Sequence, residues 1–142
     1  MTSNIVRNVS PSVDESYIPH AVPTDIFNIM DKNSVNNFRR NQLKIDNDNF
    51  FIFWTNRNAR RKQSGSLLFW FSKFLDKLEE KYGHRNSTLL MHTEPNDPNG
   101  QDLYAIAEKL DLGKNNNVLF SREKVAPQDL AMLYNAADSC IT

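Results

Sequence analysis

An apolar run, Phe50–Thr55, passes without a break into the basic stretch Asn56-Arg57-Asn58-Ala59-Arg60-Arg61-Lys62. Successive apolar positions over that length mark a strand buried on both faces, as in a parallel sheet. From residue 64 the period changes. Leu67, Phe71, Phe74 or Leu75, and Leu78 recur three and four apart, the pattern of an amphipathic helix, and Gly83 ends it. Strand, turn and helix in that order open a βαβ unit. In open sheets of this kind, ligands bind outside the carboxyl ends of the strands. Arg57, Arg60, Arg61 and Lys62 therefore stand where a ligand would, and their charge suits an anion.

The rest of the chain repeats the unit. A second strand is expected over residues 87–93, then a loop with two prolines. A helix over 101–110 follows, with Leu103, Ile106, Ala107 and Leu110 inward. After a turn at 113–117 comes a strand over Val118–Ser121. A helix then starts at Pro127, a residue suited to the first turn, and carries Leu130, Leu133, Tyr134 and Ala137. A fourth strand begins at Ser139. This β-α-β-α-β-α-β order predicts an α/β fold, a Rossmann-like parallel sheet flanked by helices, with right-handed crossovers. Upstream, residues 34–43 read as a helix capped by Ser34, with Val35, Phe38 and Leu43 inward. Residues 24–30 read as a turn docking Ile26, Phe27 and Met30. Pro19 and Pro23 keep the segment before it extended. Residues 1–16, rich in Ser, Asn and Pro, read as a flexible N-terminal arm. Residues 17–142 read as one domain, expected to be incomplete at its C-terminal end.

The chain has 17 Lys and Arg against 17 Asp and Glu, a net charge of zero. No global field draws it to nucleic acid or an anionic membrane, so any anion site must be local. One cysteine, Cys140, excludes an internal disulfide and accords with a reducing compartment. It is expected to be inert packing in a buried strand. No apolar run approaches the roughly 20 residues that span a bilayer, and residues 1–12 lack the apolar core of a signal peptide. A soluble, cytoplasmic protein with no transmembrane segment is expected. His20, His84 and His92 lie far apart in sequence and lack partners at metal-ligand spacing. His20 reads as a structural histidine, and Phe69, Trp70 and Phe71 as core and inter-domain packing. The basic run alone has two readings, solvated surface or anion site. Cations are unfavourable beside a helix N-terminus, which favours a functional reason for them.

Three stretches resemble one family. Tyr17-Ile18-Pro19-His20-Ala21-Val22-Pro23-Thr24-Asp25-Ile26-Phe27 is similar to its "IPHGVD-x-x-x-F" segment. Asn56-Arg57 through Lys62-Gln63 stands where the family has Gly-Arg and then Lys-Gly. Val118-Leu119-Phe120, Asp129-Leu130, Leu133-Tyr134 and Ala136-Ala137-Asp138 are similar to "V-x-F" followed by "L-x-x-x-Y-x-x-A-D". In this order they resemble the C-terminal, donor-binding domain of retaining glycosyltransferases of the GT-B fold, the glycogen-synthase-like group 1 enzymes. Asn56 and Gln63 replace the family's two glycines.

The resemblance implies that Arg57 and Lys62 hold the diphosphate of a nucleotide-sugar donor. Ser121 and Arg122 would line the base pocket, with Asn56 as a further candidate for the donor or base pocket; His92, at the end of the second strand, reads either as part of that pocket or as core or rim packing. It implies no cofactor and no metal, because the two cations take the metal's place against the leaving diphosphate. The partner it implies is an N-terminal acceptor domain or its equivalent. No catalytic residue is assigned, since the family's Glu-rich loop would follow the fourth strand, beyond Thr142. The chain alone is expected not to transfer sugar. The alternatives from other classes are a non-catalytic nucleotide- or nucleic-acid-binding α/β module, or an inactive fragment. Zero net charge and a single short basic turn argue against nucleic acid.

Overall fold

The computed structural model describes residues 2–16, 18–113 and 117–142. Met1, Tyr17 and residues 114–116 of the expected turn lie outside the described residues. Four strands, β1 (Phe50–Thr55), β2 (Ser87–His92), β3 (Val118–Ser121) and β4 (Ser139–Ile141), pair in parallel in the order β3-β2-β1-β4. Helices α1 (Thr2–Val9), α2 (Lys32–Phe38), α3 (Ser64–Tyr82), α4 (Leu103–Lys109) and α5 (Pro127–Ala136) complete the described elements. The strand order grows outward from β1 to β3, then jumps back to place β4 on the other side of β1. That reversal is a topological switch point, where a crevice opens at the carboxyl ends of the strands.

The alternation of side chains along β1 and β2 builds a core on each face. Ile52, Trp54, Leu89 and Met91 pack against Leu68, Phe71 and Leu75 of α3 and Leu103 and Ala107 of α4. Phe51, Phe53 and Leu90 pack against Leu133 and Ala136 of α5, with Val35 and Phe38 of α2 alongside. The result is a parallel sheet with helices on both faces, as expected. The inward face of α3 includes Phe71 and Leu75 as expected, but in its first turn Leu68 is fully buried and Leu67 only partly so. Two adjacent leucines satisfy either phase, and packing on the sheet selects the second.

Other differences are local. Helix α2 starts earlier than expected, because Asp31 rather than Ser34 caps it, accepting from the Asn33 and Ser34 N–H groups at 2.9 and 3.1 Å. Residues Arg39–Leu43 continue it as a wider π-turn, which turns Arg39 inward. Where a loose arm is expected, Thr2–Val9 is helical, and an Arg7–Glu15 ion pair brings the following segment back on it. Cys140 is exposed, not buried, because β4 pairs only with β1 among the described residues and all its residues are open. Phe71 is core, whereas Phe69 and Trp70 stand exposed on α3, edge to face at 5.3 Å.

Gln63 precedes α3 with φ 54° and ψ 34°, in the left-handed region that favours glycine. A non-glycine residue there costs about 1 kcal/mol. Gln63→Gly is therefore expected to stabilise the domain by about 1 kcal/mol, less the Ser66–Gln63 side-chain hydrogen bond, raising the urea midpoint. An unchanged or lower midpoint would refute the strain.

Candidate functional site

Parallel pairing brings the ends of the strands to one rim. Thr55 lies opposite His92, and His92 opposite Ser121, so β1, β2 and β3 finish in one row. The residues just past that row are Asn56 and Arg57, Thr93 and Glu94, and Arg122. Asn56, His92 and Ser121 are half-buried, and Arg57 and Arg122 are exposed. His92 Nδ1 and Ser121 Oγ share a hydrogen bond at 2.9 Å. Every residue assigned to the site by sequence thus belongs to this rim or to the turn that follows β1. They form no single cluster, however, and two of the cations already have partners.

The β1–α3 turn is fastened to the β2–α4 loop by Asn58, which sequence inspection missed. Its side chain is fully buried. Its Nδ2 donates to the Pro95 and Gln101 carbonyls at 2.9 and 2.7 Å. Its Oδ1 accepts from Ser64 Oγ at 2.5 Å and from the Gln101 N–H at 3.3 Å. Gln101 Oε1 in turn accepts from the Gly65 N–H at 2.9 Å, in the first turn of α3. A buried amide with all these partners fixes two loops relative to each other. The only local signal was an Asn between Arg57 and Ala59, which reads as loop filler. Its partners lie in a stretch with no pattern of its own.

The cations differ in circumstance. Arg57 Nε and Nη2 donate to Asp97 at 2.6 and 3.2 Å. This hydrogen bonding holds the Asp97 carboxyl at about 2 and pushes the guanidinium further up. A depressed carboxyl keeps its partner at neutral pH and loses it only as pH falls through that value, so the pair is intact across the ordinary range. Arg122 Nε and Nη2 donate to Glu94 at 3.1 and 3.0 Å, which raises the guanidinium in the same way. Lys62 is half-buried in the short 3₁₀ turn Arg60–Lys62, and no carboxylate pairs with it among the described residues. Arg60 and Arg61 are exposed on the same turn. His20 is exposed, in the segment before the turn at residue 24.

A cavity of about 340 Å³ is lined by Ser121 of the rim together with Leu90, Phe38, Leu133, Gln42 and Asp129. Among the described residues, no three His, Cys, Asp or Glu side chains gather as metal ligands, and no helix is long and apolar enough to cross a membrane.

No family profile matches the sequence, and no curated protein does. Solved structures do match. The chain superposes on sucrose-phosphate synthase from Thermosynechococcus elongatus with a TM-score of 0.66 at 20% identity, covering 98% of this chain and 32% of that one. It superposes on the C-terminal domain of a glycosyl transferase group 1 family protein from Francisella tularensis with a TM-score of 0.53 at 17% identity, covering 84% of this chain and 57% of that one. In both cases it spans less than two thirds of the other protein's length. At such identities the likeness is one of fold, and the fold is that of a GT-B C-terminal domain.

Proposed function

We propose that the chain is the donor-binding part of a retaining, nucleotide-sugar-dependent glycosyltransferase. The observation that carries this reading is a juxtaposition: Arg57 and Lys62 flank the turn after β1, beside the switch point of a GT-B-type sheet. Arg57 and Lys62 hold the diphosphate. As the sugar leaves, negative charge grows on the nucleoside diphosphate, and fixed cations that meet it there lower the barrier. They do so without a metal or other cofactor. The base lies toward Ser121 and Arg122 over the neighbouring cavity, with Asn56 and His92 on the donor side. An acceptor domain, N-terminal or equivalent, completes the enzyme, which works in carbohydrate metabolism in the cytoplasm.

Titration with UDP, GDP and ADP tests this reading. One of them is expected to stabilise the chain, and Arg57→Ala with Lys62→Ala is expected to lower its affinity by roughly a hundredfold, two charge-assisted contacts being lost. A double variant that binds as well as the parent overturns the assignment. Salt-sensitive binding of single-stranded DNA with no nucleotide preference would instead favour a nucleic-acid module.

A further inference from the structure

Resting on the donor-site reading, we infer that Asp97 is a positioning residue: it sets the Arg57 guanidinium so that its free edge meets the donor diphosphate. Arg57 gives Asp97 its side edge, Nε and Nη2. The end-on edge, formed by Nη1 and the outer Nη2 hydrogen, remains a bidentate donor for phosphate oxygens. Exposure distinguishes the two partners. The Arg57 side chain is 65% exposed and that of Asp97 only 9%. The carboxylate therefore stands behind the guanidinium, not in front of it.

Asp97 is itself immobilised. Its Oδ1 accepts from the Asn99 N–H at 2.8 Å, and its carbonyl accepts from the Gly100 N–H at 2.8 Å. The loop that carries it is fastened through Pro95 and Gln101 to Asn58, the neighbour of Arg57. Both ends of the ion pair thus hang from one buried node. An arginine with four rotatable bonds, free on a loop, loses rotamer freedom when a ligand immobilises it. One already held by Asp97 has lost it in advance.

The sign of the Asp97→Asn effect is diagnostic. Removing a negative charge beside an anion site should tighten binding if Asp97 merely repels or competes with the diphosphate. Positioning predicts the opposite. Asp97→Asn, which keeps an acceptor for Asn99, is expected to weaken the preferred nucleoside diphosphate by roughly five- to tenfold. Asp97→Asn gives up the ion pair but keeps the Asn99 contact, so melting temperature should fall by no more than it does in Arg57→Ala, which breaks the same pair. A second readout is the ¹⁵N signal of the Arg57 Nε–H, identified by its loss in Arg57→Ala. It should persist in the nucleotide-bound parent, with Asp97 still paired, and move to the free-arginine position in Asp97→Asn. Unchanged or tighter binding by Asp97→Asn overturns the proposal. So does collapse of the parent's Nε–H signal to the free position on binding, because the ligand would then have replaced Asp97. If the parent binds none of UDP, GDP or ADP, the donor reading falls and this proposal with it. If the parent binds and the variant is unaffected, only this proposal falls.

Discussion

Gly100→Ala is expected to destabilise the domain by about 3 kcal/mol and to weaken nucleotide binding with it. A Cβ at Gly100 would lie 2.1 Å from the Asn58 carbonyl oxygen and 2.6 Å from its Cγ. Neither atom can retreat cheaply. Asn58 is fully buried and tied to Pro95, Gln101 and Ser64. Either the β2–α4 loop lifts from the β1–α3 turn or the Asn58 bonds break, stranding buried carbonyls that each cost about 1–3 kcal/mol unpaired. The same movement separates Arg57 from Asp97. Two other glycines calibrate the result. At Gly65 the clash is with the end of the Gln101 side chain, at 2.7 Å, which can swing away at the cost of its bond to the Gly65 N–H. At Gly113 nothing lies within 4 Å, so Gly113→Ala should cost nothing. Urea denaturation should rank the losses Gly100, Gly65, Gly113. A Gly100→Ala midpoint equal to that of Gly113→Ala would mean the loops are not locked as described.

The sheet was legible because its signal is local and repeated. Phe50–Trp54 is a continuous apolar run and Leu89–Met91 a shorter one within Ser87–His92, and such short runs bounded by turn residues suit buried parallel strands. The spacing of Leu103, Ala107 and their neighbours likewise placed α4 on its sheet. The rim followed from topology alone, since parallel strands must end together. What could not be read was pairing across distance. Asp97 meets Arg57 across 40 residues and Glu94 meets Arg122 across 28, and in each case only the folded sheet brings the loops together. A hint existed in retrospect: two carboxylates in the loop after β2 sit between arginines after β1 and β3. Asn58 gave less, because a buried amide and a solvated one look alike in sequence. Asp31 against Ser34 is a similar case, since either can cap and the choice falls to where the preceding turn delivers the chain.

Arg39→Ala is expected to cost about 4 kcal/mol, the largest loss from any single side chain outside the apolar core. Nothing in the sequence marks Arg39, in a helix whose surroundings are polar, as buried. Yet its side chain is 7% exposed, and its Nη1 donates to both oxygens of Asp138 at 3.2 and 3.1 Å. Nη1 also reaches the Ala136 carbonyl at 3.3 Å, and Nη2 the Asn49 carbonyl at 2.5 Å. One guanidinium thus ties the end of α2 to the turn before β1 and to the start of β4. Asp138 extends the tie into the sheet, since its Oδ2 accepts the Phe51 N–H at 2.7 Å and its own N–H donates to the Phe51 carbonyl at 2.8 Å. Alanine removes the cation and leaves the carbonyls without donors, each a desolvation penalty of about 1–3 kcal/mol. Arg39→Met, which restores volume but not the donors, should recover about a third of the loss. Asp138, 38% exposed, can rehydrate in either variant, which keeps the cost near the middle of the range for broken buried pairs. A loss below about 1 kcal/mol for alanine would show that water replaces the guanidinium, and that the backbone ladder and the Asp138–Phe51 bonds hold β4 to β1 without it.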